Sequence, residues 1–159
     1  MITKNYGKAI YAVIANVETS LVNTSGETTS SSGTYLRTAL STPGTMQSST
    51  TIGTLYLQVG NGTTDPTVND YCIESQLTDA VTISSVNKGV LASGNTQYTF
   101  VLSNDMDSDL TITELCLFIY FNTYNTYNAN TAMILREVID PITLRPGQAY
   151  TVTFEISYC

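Results

Sequence analysis

Three carboxylates at alternate positions form the clearest metal-like pattern in the chain. Asp105, Asp107 and Asp109 have the spacing of the first ligands in a calcium-binding loop. An EF-hand loop also needs Gly at the sixth position and Glu at the twelfth, where this chain has Leu110 and Cys116. The segment therefore predicts a solvated hairpin turn between two strands, and an irregular Ca²⁺ site is the alternative.

The residue types needed for most enzymes are missing or scattered. The chain has no His, which excludes Ser-His-Asp and Cys-His catalysis, imidazole bases and His-ligated zinc. The glycine-rich segment 60–66 lacks the Gly-Lys-Ser/Thr ending of a phosphate loop and predicts turns instead. A glycosidase using Glu114 and Glu137 stays an alternative, although both residues lie within strand patterns. We therefore expect no enzyme and no cofactor.

Cysteine spacing argues against a disulfide framework or a zinc site. The chain has an odd number of cysteines: Cys72, Cys116 and Cys159. They lie tens of positions apart and form no C-x-x-C pair. We expect free thiols in a protein made in a reducing cytoplasm. Pairing of Cys159 between subunits is the alternative.

Two groups of residues are candidates for contacts with other molecules. The loop 122–130 interleaves Tyr124 and Tyr127 with amides that include Asn125 and Asn128, as antibody contact loops do. Equally, the two rings could fold back on the sheet. The candidate ionic contacts to a neighbouring chain are three arginines: Arg37, Arg136 and Arg145.

Charge and polar composition limit the partners further. The net charge is −7, from 13 acids and 6 bases, so the chain repels phosphate backbones and we expect no nucleic-acid partner. The hydrophobic fraction of 42% is enough for a core, whereas only 12% of residues are charged. The polar positions are filled by 27 Thr, 15 Ser and 12 Asn, which favour strands and turns over helices. No apolar run approaches the roughly 20 residues of a membrane span, so we expect no membrane partner.

The elements that must position these residues are strands. Period-two alternation dominates, and no segment of 12 residues shows a helical stripe. We predict an all-β fold, a single antiparallel β-sandwich domain of residues 1–159, jelly-roll or immunoglobulin-like, with long polar loops at 23–33 and 41–51. We also expect Asp140-Pro141 to end a strand. The predicted strands are residues 9–17, 34–40, 52–59, 80–86, 97–103, 110–121, 133–139 and 149–158.

Four segments resemble small virion structural proteins of tailed bacteriophages and prophages. They read LQVGNGTTDPTVNDYCIE at 57–74, LTITELCLF at 110–118, LREVIDPITLRPGQ at 135–148 and YTVTFEI at 150–156. The resemblance implies a β-rich, non-enzymatic virion component of the head-decoration, head-fibre or tail-fibre type, made in the bacterial host cytoplasm. Its implied partners are copies of itself and other virion proteins, such as major capsid, portal or tail proteins.

A second function fits the same composition. A carbohydrate-binding or adhesive β-sandwich module would use the loop 122–130, with its tyrosines stacking on a host-surface glycan.

Overall fold

The computed structural model describes residues 1–41, 54–77, 80–123 and 128–156, apart from the side chains of residues 84–86. Within these described residues, two helices and eight strands follow one another. In order they are α1 (Lys4–Ala15), β1 (Glu18–Val22), β2 (Thr28–Ser32), α2 (Gly33–Ser41), β3 (Thr54–Gly60), β4 (Val81–Val90), β5 (Thr96–Asn104), β6 (Leu110–Asn122), β7 (Ala129–Leu144) and β8 (Ala149–Ile156).

Two three-stranded antiparallel sheets form the body of the fold, which confirms the predicted all-β sandwich. One sheet has the order β3-β6-β7 and the other β4-β5-β8, while β1 and β2 form a separate hairpin. Leu57 and Leu117 from the first sheet join Phe100 and Phe154 from the second in one buried core. Along β5, buried residues alternate with half-buried ones, as expected for a strand with one face on the core.

The strand β6 is buried on both faces, as its wholly apolar run predicts. Leu115 and Leu117 point into the core between the sheets. Cys116 and Phe118 alternate with them and face the opposite way, where Ile73 packs on Phe118's cluster. The connection 61–77 thus covers the outer face of the first sheet, and this second buried face holds the site described below.

The predicted strands 9–17 and 34–40 are wrong, because these residues form helices α1 and α2. In α1 the buried positions are Asn5, Ala9 and Ala12, which have helical spacing but present little apolar bulk. The helix ends at Asn16, which has a φ of 54° and a left-handed cap conformation. Gly33 begins α2 directly against the backbone carbonyl of Ala12, where a Cβ has no room. Small residues therefore let the two helices pack closely.

Two loop predictions also need correction. Residues 28–32 lie in the segment predicted as a polar connector, but they pair with residues 18–22 as strand β2. Pro141 does not end β7: Val138 pairs with Glu114 and Ile142 with Ile112, so a bulge holds the intervening residues. A bulge accommodates a proline because a residue there need not donate to the ladder.

Candidate functional site

Arg136 is the centre of the only cluster of ion pairs among the described residues. It lies on β7 facing away from the sandwich core, and its side chain is 5% exposed. Its guanidinium donates from Nη1 to Asp70 at 2.9 Å, from Nη2 to Glu74 at 2.9 Å and from Nε to Glu114 at 2.7 Å. We call these four residues the ion network. All three nitrogens of the guanidinium are therefore paired with a carboxylate.

Glu114 fastens the connection 61–77 to the sheet. It projects from β6, is completely buried, and accepts the backbone N–H groups of Glu74 at 2.9 Å and Ser75 at 3.3 Å. A buried carboxylate is tolerated only when it is paired and hydrogen-bonded, and here it has one cation and two backbone donors. The same side chain thus links two strands and the covering segment.

Two threonines hold the other carboxylates in place. Thr64 donates its backbone N–H at 2.9 Å and its hydroxyl at 2.8 Å to Glu74. Thr67 does the same to Asp70, at 2.9 Å and 2.6 Å. These local hydrogen bonds orient both carboxylates toward Arg136 in addition to the ion pairs themselves.

The hydrogen bonds also determine the protonation of the network. Those from Thr64, followed by the charge of Arg136, hold the pKa of Glu74 below its usual range. Burial acts to raise the pKa of Asp70, but the bonds from Thr67 and Arg136 outweigh it, so this pKa is also lowered. Burial alone would lower the pKa of Arg136, yet its bonds to Asp70 and Glu114 raise it. Asp70, Glu74 and Arg136 are therefore all charged at neutral pH.

Two glycines leave the space that the network occupies. A Cβ at Gly60 would lie 2.6 Å from Oε2 of Glu114, and one at Gly62 would lie 2.5 Å from the same atom. The carbonyl of Gly62 also accepts the hydroxyl of Thr113 at 2.9 Å. The glycines of this segment, which was predicted to form turns, are therefore also needed because a buried carboxylate lies close to their backbone.

The ion network is built to hold chain segments together. Its three carboxylates share one cation, and each of them also accepts hydrogen bonds from the backbone or from threonine. Burial, together with the adjacent Glu114, raises the pKa of the Cys116 thiol, so this neighbour is no nucleophile at neutral pH. Within the described parts of the chain, no group of three or more acidic or cysteine residues has the arrangement of a metal site. The arrangement suits noncovalent linkage of β6, β7 and the connection 61–77.

The segment with three alternating aspartates, for which an irregular Ca²⁺ site was the alternative to a hairpin turn, is not part of the ion network. Asp105, Asp107 and Asp109 are all exposed, and the hydroxyl of Thr82 donates to Asp105. The segment joins β5 to β6, which belong to different sheets, so the predicted hairpin turn is wrong. The buried Asn104 side chain holds this connection by donating to Ser108 and Leu144 carbonyls.

The predicted contact residues have different environments. Arg136 is used within the chain, which corrects the expectation of an ionic contact to a neighbour. Arg37 is exposed and donates to the carbonyl of Val13 at 3.2 Å, and Arg145 is exposed in the turn before β8. Asn128 is exposed, and its backbone N–H donates to the hydroxyl of Thr123.

Several predicted residues lie outside the described part of the chain: Tyr124, Asn125, Tyr127 and Cys159. The glycan-binding alternative depends on Tyr124 and Tyr127 and stays a prediction. The Glu114–Glu137 pair can be assessed. Glu137 follows Arg136 on β7 and so points to the other face of the strand, which separates it from Glu114.

A neutral cavity of about 400 Å³ lies beside the network on the same face of the sheet. Its floor contains Tyr56 and Phe118, whose rings stack with centroids 5.5 Å apart. Burial raises the pKa of Tyr56 to about 12, against the opposing effect of its bond with Thr131. The cavity has hydroxyl and amide groups on its wall and no charged residue.

Sequence reasoning missed the network because its members are far apart along the chain. Arg136 is 66 residues from Asp70, 62 from Glu74 and 22 from Glu114. The sequence carried one signal of the network. Its charged residues lie within the motifs that resemble virion proteins, and turn or strand patterns alone do not require charged residues there.

The chain has no match among protein-family models, curated proteins or solved structures. No helix in the described ranges has the length and apolar character needed to cross a membrane.

Proposed function

We propose that this chain is a non-enzymatic bacteriophage virion structural protein, a capsid-decoration, head-fibre or tail component. It associates with copies of itself and binds a capsid or tail partner. The proposal starts from the resemblance of residues 57–74, 110–118, 135–148 and 150–156 to small virion proteins.

The ion network is the observation that carries the proposal. Asp70 and Glu74 come from the first resembling segment, Glu114 from the second and Arg136 from the third. The three segments therefore together supply all four residues of the ion network. Separate turns and strands would explain each motif alone, whereas the network explains why they occur together in one chain.

The use of charge in the ion network supports a structural role. The one buried cation of the described residues binds carboxylates of its own chain, and the polar exterior is rich in hydroxyl groups. Threonine pairs such as Thr99–Thr153 and Thr111–Thr143 face each other across adjacent strands at 3.4 Å. Neutral groups cost less to desolvate than charges when identical copies pack together.

Mass spectrometry of purified particles tests the proposal. Particles of the phage that encodes the chain are separated from free protein on a density gradient, and the chain is quantified against the major capsid protein. We expect a fixed ratio of the two across the particle peak. A chain that is abundant in the lysate but absent from the particle peak would contradict the proposal.

A matched pair of variants links particle incorporation to the network. Arg136→Met removes the central cation, whereas Arg145→Met removes an exposed one that lies outside the network. We expect the first variant to be incorporated less than the wild type because it is less stable, and the second to be incorporated like the wild type.

A further inference from the structure

The outward face of α1 combines apolar and basic side chains. Lys4, Lys8, Tyr11 and Ile14 follow helical spacing along this face, and Tyr11 is 66% exposed and Ile14 79%. Large apolar side chains at this exposure, next to one another on a helix, are typical of an interaction surface. No described residue of the same chain covers them.

The helical layer is also the basic part of an acidic protein. Helices α1 and α2 contain no Asp or Glu, while they carry Lys4, Lys8 and Arg37, half of the chain's 6 bases. The guanidinium of Arg37 reaches the Val13 carbonyl, next to Ile14. This layer therefore presents an apolar centre beside cations, in a chain with a net charge of −7.

The connection 105–109 has the complementary chemistry. Asp105, Asp107 and Asp109 are exposed around Met106, which is itself 46% exposed. Methionine adapts its shape to an apolar partner, and the flanking carboxylates suit a basic one.

This connection is held in a fixed shape by Asn104. The buried Asn104 side chain donates to the carbonyls of Ser108 and Leu144, both at 2.9 Å, and accepts the N–H of Met106 at 2.9 Å. A segment already ordered loses less entropy when it binds.

The helical layer and the acidic connection lie at opposite ends of β5. The end of α2 contacts the start of β5, where the hydroxyl of Tyr98 donates to the Leu40 carbonyl at 2.8 Å. The acidic connection leaves the other end of β5 after Asn104, about 20 Å away at roughly 3.3 Å per residue. One copy cannot bring both surfaces together, but two copies can.

We propose that copies of this chain associate head to tail through these two surfaces. Met106 of one copy packs on Tyr11 and Ile14 of the next, and the surrounding aspartates face Lys8 and Arg37. The contact is heterologous, so it generates rings if the rotation closes and rows if it does not. This inference rests on the self-association in the proposed function and names the surfaces responsible.

Charge reversal tests the contact directly. Variant A carries Lys8→Glu and Arg37→Glu, and variant B carries Asp107→Lys and Asp109→Lys. Sedimentation velocity at low ionic strength should show association of the wild type, and about 100-fold weaker association of A alone and of B alone. The equimolar mixture of A and B should recover it, because each acidic surface then meets a basic one. Association of the wild type should also weaken as salt is added.

Controls separate this inference from its premise. Arg145→Glu reverses an exposed charge outside both surfaces and should leave association unchanged, and circular dichroism checks that every variant is folded. A monomeric wild type, wild-type-like association of A or B, or failure of the mixture to recover would each overturn the inference. If the chain is nevertheless present in purified particles, the virion role stands and only the head-to-tail contact falls. Absence from the particles removes the virion role whatever the sedimentation result.

Discussion

Replacement of Arg136 by Met removes the cation of the ion network while keeping a long side chain in its place. The variant loses three charge-assisted hydrogen bonds of 2.7 to 2.9 Å. Glu114, which has no exposed side-chain surface, is then left with backbone donors and without a positive partner. Asp70 and Glu74 stay close to it as further negative charges.

The cost of this change comes mainly from Glu114. Removing one partner of a buried ion pair typically destabilises a protein by about 3–5 kcal/mol, because an uncompensated charge stays buried. The Asp70 side chain is mostly buried but partly exposed to solvent. Loss of its ion pair with Arg136 therefore costs less, about 1 kcal/mol or less. A loss of about 3–5 kcal/mol is a large part of the 5–15 kcal/mol that holds an ordinary domain folded.

Urea denaturation measures the loss, with Arg37→Met as the control. The midpoint gives the free energy of unfolding if the slope is unchanged. We expect the control to change stability by about 0.5 kcal/mol or less, because Arg37 is exposed and makes one backbone bond.

The pH dependence gives an independent check of the mechanism. In the wild type the pKa values of Asp70 and Glu74 lie below their ordinary values of 3.8 and 4.5. Their ionised forms therefore add stability above those ordinary values, and this stability is lost as the pH falls through the lowered pKa values. In the Arg136→Met variant the same carboxylates have lost their cation, so protonation relieves repulsion. The difference in stability between wild type and variant should therefore narrow as the pH falls below 4.5 for Glu74 and below 3.8 for Asp70.

Two results would refute this reasoning. A loss below about 1 kcal/mol would mean that the buried ion pairs contribute little beyond the packing of the side chain. A loss that is the same at pH 7 and at about pH 3 would mean that the destabilisation comes from altered packing and not from unpaired charge.

Other predictions follow from the packing around the network. Gly62→Ala should cost about 1–3 kcal/mol, because its Cβ would lie 2.5 Å from a buried carboxylate oxygen, whereas Gly7→Ala in α1, with nothing within 4 Å, should stabilise the fold by about 1 kcal/mol. Thermal unfolding compares the two, and equal effects would contradict the steric argument. In a Cys159→Ser background, the exposed Cys72 should react with a thiol reagent at neutral pH, while the buried Cys116, whose pKa is raised, should react only after unfolding. Rapid native labelling of both thiols would show that the outer face opens readily.

The strands were predictable because one physical rule dominates them. Residues 151–156 alternate between solvent and core, and Val152, Phe154 and Ile156 are buried as the period of two requires, whereas Tyr150 at the start of the strand is exposed. The wholly apolar part of β6 likewise predicts a central strand, and its outer face is buried by the connection 61–77.

The helices and the ion network depend on information that is not local. In α1 the buried face consists of small residues while Tyr11 and Ile14 are exposed, so the hydrophobic pattern gives no helical stripe. Arg136 sits in a sequence that reads as an ordinary half-exposed strand, and its burial depends on acids 62 and 66 residues earlier. Only the fold brings them together.

The long sequence separations within the ion network also have a consequence for kinetics. Pairing across 62 and 66 residues needs β6 and β7 to be aligned first, since Glu114 and Arg136 are brought together by that pairing. The network therefore forms late on the folding path, and we expect φ-values near zero for its members. Its contribution should appear as slow unfolding, which lengthens the lifetime of the native state without making the chain fold faster. In the proposed virion role, that lifetime matters more than the rate of folding.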